Sequence, residues 1–155
     1  MEIRFAQPKD VGEILALLRQ VGKLHHQIRP DIFPERTLKY DEAALKELLK
    51  DEKRPVFVAL DGDFVAGYCF CVHKDYEVGG ASVPRRELYI DDLCVDEKHR
   101  RRGIAEALYR HALDDAKGCG CGFVTLNVWC GNDGAMRFYE NAGLTPRHIM
   151  METKL

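Results

Sequence analysis

A chain of 155 residues is about one domain long, and a hydrophobic fraction of 46% is enough for one ordinary core. Basic and acidic residues nearly cancel, 23 against 25, for a net charge of −2. A nucleic-acid binder carries a basic surplus over a whole face, so no nucleic-acid partner is expected. No apolar run approaches the ~20 residues of a membrane span, so no membrane partner is expected either. The start, "MEIRFAQPKD", has no apolar segment of secretory type, which points to a cytoplasmic, reducing setting. The six cysteines (69, 71, 94, 119, 121 and 130) are then free thiols. Cys69/Cys71 and Cys119/Cys121 lack the C-x₂-C spacing of zinc sites, so no metal is expected.

In chain order, Met1 to Ala6 reads as a first strand. Pro8 and Asp10 open an amphipathic helix with Val11, Ile14, Leu15, Leu17, Leu18 and Val21 at helical spacing. Pro30 and Pro34 break any helix in "HHQIRPDIFP", and "DEAALKELLKD" is a second helix with Asp41 as its candidate cap. "PVFVAL" and "FVAGYCFCVH" are strands joined through Asp61-Gly62, a hairpin signal. A polar loop, "KDYEVGGASVPR", leads to the strand "RELYIDDLCV". A third helix opens at Arg102 or Gly103 and ends near Gly118 or Gly120. "FVTLNVW" reads as a strand buried on both faces. "NDGAMRFYENAG" is a short helix with Asn132 or Asp133 as cap, and "TPRHIMMETKL" reads as one more strand. The order β-α-α-β-β-β-α-β-α-β gives an α/β single domain over residues 1–155, a mixed central sheet flanked by helices.

The densest basic run, Lys98 to Arg102, lies between a strand and a helix start. The first amides of a helix have no partner inside it and form an anion site, particularly for phosphate. Gly103 allows close main-chain approach, Ala105 is small, and Arg100, Arg101 and Arg102 add charge. Neither G-x-x-x-x-G-K-[ST] nor G-x-G-x-x-G occurs, so the common nucleotide loops are excluded. From this stretch alone, a solvated basic helix start remains the competing explanation.

Arg100-x-x-Gly103-x-Ala105 resembles the [RQ]-x-x-G-x-[GA] signature of the GNAT superfamily of N-acetyltransferases. "NDGAMRFYENAGL" is similar to that family's N-x-x-A-x-x-x-Y-x-x-x-G-F segment, at Asn132, Ala135, Tyr139 and Gly143, with Leu144 in place of Phe. The resemblance is strong over residues 88–145 and weak over 1–60. It implies a GNAT-like fold and acetyl-CoA as cofactor, with coenzyme A as product. The amides of Arg101, Arg102, Gly103, Ile104 and Ala105 would hold the pyrophosphate. Leu93, Cys94 and Val95 would lie along the pantetheine arm, with the N–H of Cys94 or Val95 polarising the thioester carbonyl. Asn132 would bond the pantetheine or cap the last helix.

The reaction the resemblance implies is direct attack of a primary amine on the thioester, which needs one base and one acid. Tyr139 is the acid candidate; its competing role is packing on the sheet. Asp91 and Asp92 are the candidates for base or amine anchor, against strand-end carboxylates bonded to nearby backbone. Adjacent strand residues face opposite ways, so only one should reach the cleft unless a bulge intervenes. Tyr89 and Glu87 share that strand, and His25 and His26 end the first helix near the acceptor side. Trp129 could touch either the cofactor or a dimer partner, and both roles stay open. The acceptor is either a small cationic amine, drawn by Asp91, Asp92, Asp75 and Glu77, or a peptide or protein amine. Dimers are common in look-alike families, which leaves a homodimer open. A non-catalytic acyl-CoA-binding sensor is the reading from a different class.

Overall fold

The computed structural model describes every residue except Thr37, Val78, Gly80 and Ala81. Strand β1 (Glu2–Phe5) leads through a 3₁₀ turn at Pro8–Asp10 into α1 (Val11–Ile28) and then α2 (Glu42–Leu48). Next come β2 (Val56–Asp61), β3 (Phe64–Tyr76) and β4 (Arg85–Val95). A second 3₁₀ turn, Glu97–His99, precedes α3 (Ile104–Gly118), β5 (Phe123–Leu126) and α4 (Asp133–Asn141). The five strands form one sheet in the order β1-β2-β3-β4-β5. All pairings are antiparallel except β4 with β5. That parallel pair requires a crossover, and α3 supplies it.

Period-two alternation splits the core between the two faces of the sheet. Val56, Val58 and Leu60 of β2 turn toward α1 and α2 and meet Ile14, Leu18 and Leu45. Phe57 and Ala59 turn the other way, toward Leu108 and Ala112 of α3. Asp41 caps α2 by accepting from the Ala44 amide at 2.8 Å. One glycine decides how closely α3 approaches the sheet. A Cβ on Gly67 would stand 2.8 Å from the Cys94 carbonyl oxygen and 3.2–3.3 Å from Leu108 and Ile104.

Four expectations are corrected. Strand β5 stops at Leu126 instead of reaching Trp129, and Phe123 is 54% exposed, so this strand is not buried on both faces. It lies at the sheet edge with β4 as its partner. β3 and β4 extend into the expected loop, through Tyr76 and from Arg85, because Lys74, Asp75 and Tyr76 find cross-strand partners. α2 ends at Leu48, before the expected last turn. The tail from Thr145 to Leu155 forms no strand: its apolar residues Ile149, Met150 and Met151 are 80–88% exposed. The segment read as a strand, but a strand also needs a neighbour, and among the described residues it has none.

Candidate active site

The parallel ladder of β4 and β5 runs only from Glu87↔Phe123 to Ile90↔Leu126. Beyond it β4 continues to Val95 along β3 alone, so the two strands part. At the parting point β4 carries a bulge: Cys71 pairs Ile90 and Phe70 pairs Asp92, leaving Asp91 as the extra residue. A cavity of about 550 Å³ opens there, walled by α1, by Phe33, Pro34, Leu38 and Lys39, and by β4, β5 and α4.

The bulge resolves the problem of two adjacent carboxylates, since both Asp91 and Asp92 line the cavity. Asp91 is ion-paired with Lys39, Nζ to Oδ2 at 2.8 Å. Asp92 accepts a hydrogen bond from the buried Tyr68 hydroxyl at 3.1 Å. Burial raises the Asp92 carboxyl above the ordinary carboxylate range, against the opposing pull of Lys39, Tyr68 and His25. His25, also on the cavity wall, is lowered by burial and packs with its ring tilted 31° against Phe33, 5.0 Å between centroids. His26 holds that same segment by a 2.8 Å bond with the Phe33 carbonyl.

Tyr139 reaches the cavity from α4 and touches Phe138 and Tyr109 edge-on, at 4.9 and 6.2 Å. Burial raises its phenol well above the usual value, so it is protonated at neutral pH. Among the described residues the hydroxyl has no hydrogen-bond partner. Asn132 lines the cavity and caps α4 at once, its Oδ1 accepting from the Ala135 amide at 3.2 Å. Trp129 sits at the rim, 5.0 Å edge-on to Phe33, with the Arg29 guanidinium 6.0 Å from its ring.

Ladder parity assigns the amides past the bulge. Asp96 donates to the Ala66 carbonyl of β3 at 2.9 Å. Cys94, two residues back, therefore points its N–H to β3 as well, while the N–H groups of Leu93 and Val95 face the opened side. That removes Cys94 as the candidate polarising amide and leaves Val95, with Leu93. The Cys94 thiol is buried toward α1, and burial pushes it up to about 12, so it is no nucleophile.

The basic turn behaves as a backbone cradle. Arg101 (φ 60°) and Gly103 (φ 75°) are both left-handed, and α3 begins at Ile104 with Gly103 as cap. The first bond into the helix is from Ala107 N–H to the Gly103 carbonyl, 3.0 Å. The amides of Ile104, Ala105 and Glu106 thus have no partner within the helix. Arg102 is engaged by Asp61 at 2.7 Å and Arg100 loosely by Glu97 at 3.8 Å. Arg101 is exposed and, among the described residues, has no ion-pair partner.

Glu87 does not reach the cavity; it is 2% exposed and held by Arg85 and Arg147 at 2.6 and 2.9 Å. Asp75 is neutralised by Arg86 at 2.7 Å and is no part of the cavity wall, nor is Glu77. His111 packs edge-on to Phe57 at 4.7 Å, a structural role. The two C-x-C pairs do not form one site: among the described residues the grouping with metal-ligand geometry is His73, Asp115 and Cys119. Three residues of the site carried no signal in the sequence: Lys39, Tyr68 and Gln20. Gln20 donates to the Val95 carbonyl (3.0 Å) and accepts from the Glu97 amide (3.1 Å), fixing the exit of β4 toward the cradle.

The sequence model of the acetyltransferase (GNAT) family matches residues 20–144. N-alpha-acetyltransferase 30 of Schizosaccharomyces pombe is 34% identical over 90 residues, 56% of this chain and 55% of its own. The chain thus spans about half the length of that relative. Thialysine N-epsilon-acetyltransferase of Mus musculus is 26% identical over 144 residues, 91% of this chain and 82% of its own. A solved mutant of the BH1408 protein from Bacillus halodurans is 28% identical, with a TM-score of 0.96 over 100% of this chain and 99% of its own.

Proposed function

The chain belongs to the acetyltransferase (GNAT) family, and we propose that it transfers the acetyl group of acetyl-CoA to the primary amine of a small cationic molecule. The observation that carries this reading is the joint lining of one cavity by Asp91, Asp92 and Tyr139 where β4 and β5 part. Acetyl-CoA would supply the acetyl group as an activated thioester, and the residues present fit it. The amides at the start of α3 suit its phosphates, with the exposed Arg101 beside them. The main chain of Leu93 to Val95, released from β5, suits the extended arm, and Asn132 faces it.

Asp92 is assigned as the base that takes the proton of the bound ammonium. A lysine-like ammonium has a pKa of ~10.4, and burial of Asp92 narrows the gap. Asp91, with Lys39, orients the acceptor. The amine nitrogen then bonds to the carbonyl carbon, the Val95 N–H steadies the oxygen, and the carbon–sulfur bond breaks. Tyr139 gives its proton to the departing sulfur.

A small acceptor fits the walled cavity better than an extended peptide does. The name of the mouse relative, a thialysine N-epsilon-acetyltransferase, supports an acceptor of the same chemistry. The test is thiol release from acetyl-CoA over a panel of diamines, amino acids, amino sugars and peptides. Release with small diamines or lysine-like amines is expected. Release with peptides alone would overturn the small-acceptor reading. A Tm raised by acetyl-CoA with no release from any amine would instead mark a non-catalytic acyl-CoA sensor.

A further inference from the structure

At the end of α3 far from the basic turn, the helix meets β3 in a cluster of side chains that the proposed reaction does not use. Cys69, Cys71 and His73 alternate along β3 on the face that packs against α3, and His73 stands where that row leaves the core. Asp115 lies on the last turn of α3, beside the buried Ala112 and Ala116. Cys119 caps the helix one turn later, its N–H donating to the Asp115 carbonyl at 2.9 Å. Arg86 holds the Cys119 carbonyl at 2.8 Å. One donor atom from each of His73, Asp115 and Cys119 lies within 4.8 Å of the other two.

A second observation at the same place points to a ligand. Asp115 Oδ2 is buried and, among the described residues, accepts no hydrogen bond. His73 Nε2 stands only 3.1 Å away, at ion-pair distance, yet the ring does not aim an N–H at that oxygen. A buried carboxylate oxygen left in this way is costly. A cation shared by the two atoms satisfies both lone pairs at once. Neighbouring ligands on a tetrahedral ion with bonds of ~2.0–2.1 Å stand about 3.3 Å apart, close to the observed spacing.

We propose that His73, Asp115 and Cys119 bind a zinc ion through Nε2, Oδ2 and Sγ, with water in the fourth position. Imidazole, carboxylate and thiolate form a mixed, partly soft ligand set, which suits zinc and not magnesium or calcium. The carboxylate and the thiolate neutralise the divalent charge, and binding sends the Cys119 thiol proton to solvent. The His73 Nδ1–H donates to Cys121 Sγ, 3.7 Å away, which fixes the ring with Nε2 toward the ion. Cys119 is exposed, which gives the ion a route in. The bound ion ties the end of α3 to β3. Cysteine spacing conceals such a site, because Asp115 and Cys119 are one helical turn apart and His73 comes from another element. The inference is independent of the proposed reaction, since none of these residues lines the acetyl-transfer cavity.

The test is titration of the reduced full chain, free of any affinity tag, with cobalt(II) as a spectroscopic stand-in for zinc. An equimolar amount is expected to give the visible bands of a tetrahedral ion and a near-ultraviolet thiolate-to-cobalt band. Zinc is expected to displace the cobalt and to raise Tm. Cys119→Ser, at an exposed position, is expected to remove the thiolate band and the zinc-dependent rise in Tm, with an unchanged far-ultraviolet spectrum. Cys121→Ala is expected to keep the band and to weaken zinc about 10- to 100-fold. A wild-type chain with no thiolate band, or with the bands of six-coordinate cobalt alone, would overturn the proposal. So would a thiolate band that survives Cys119→Ser.

Discussion

Asp92 stands in a conflict: it is a carboxylate buried against Tyr68, with its charged form disfavoured. Its pKa is raised in the folded state, so the ionised form costs stability once pH rises through the folded value. Asp92→Asn removes that cost while keeping an acceptor for the Tyr68 hydroxyl. The variant is expected to melt higher than wild type at pH 7, and to lose at least 10²-fold in kcat with acetyl-CoA affinity kept. A lower Tm together with full turnover would remove Asp92 from the mechanism. The acid limb of kcat/KM should fall above the ordinary carboxylate range and vanish in this variant. Tyr139→Phe is expected to lower kcat with little change in cofactor affinity; equal turnover would return Tyr139 to a packing role. Arg101→Ala is expected to weaken acetyl-CoA about 5- to 20-fold, the scale of one screened hydrogen bond to a charged group. The same substitution at Arg102, already engaged by Asp61, should do less.

Between residues and the whole, the position of α3 sets the cradle. Its first turn rests on β3 where Gly67 leaves room, and a methyl group there would press on the Cys94 carbonyl. Gly67→Ala is expected to cost about 1–3 kcal/mol and to raise KM for acetyl-CoA more than it lowers kcat. Urea titration and steady-state kinetics check the two halves; an unchanged midpoint would show that α3 can yield. This element is also where the sequence was most legible. Arg100, Gly103 and Ala105 lie within six residues, so the cradle is local and its spacing is its geometry. Asn132 and Tyr139 were legible for the same reason, seven residues apart on one short helix. The opposite wall was not legible. Lys39 comes from a proline-broken stretch, and Tyr68 is a strand aromatic that meets Asp92 only through register. The Asp91 bulge follows from pairing with β3, which no single strand records. The tail shows the converse failure: it read as a strand, but among the described residues it pairs with no other strand.

For the whole molecule, the ion pairs that tie the termini of the chain to the sheet make stability pH-dependent. Arg4 grips the buried Asp10 through both nitrogens, at 2.7 and 2.9 Å, and links β1 to the start of α1. Burial alone would raise Asp10, but Arg4 and the Gln7 amide together hold it below its ordinary value. Glu87 is likewise lowered, first by Arg147 and then by Arg85, against its burial. Depressed carboxyls contribute stability that is present above their unfolded values of 3.8 and 4.5 and is lost as pH falls through the folded ones. The urea midpoint is therefore expected to decline below about pH 4.5, and Arg4→Met to cost about 3 kcal/mol at pH 7 by stranding Asp10. A midpoint unchanged down to pH 3 would contradict this.

The account as a whole turns on whether the cavity at the β4–β5 parting performs acetyl transfer. The most direct measurement is mass spectrometry of a lysine-like diamine after incubation with acetyl-CoA and the purified chain, with free thiol counted in parallel. One acetylated amine per thiol released, lost in Asp92→Asn and Tyr139→Phe, is the predicted result. Thiol released without acetylated amine, or product formed equally by both variants, would contradict it.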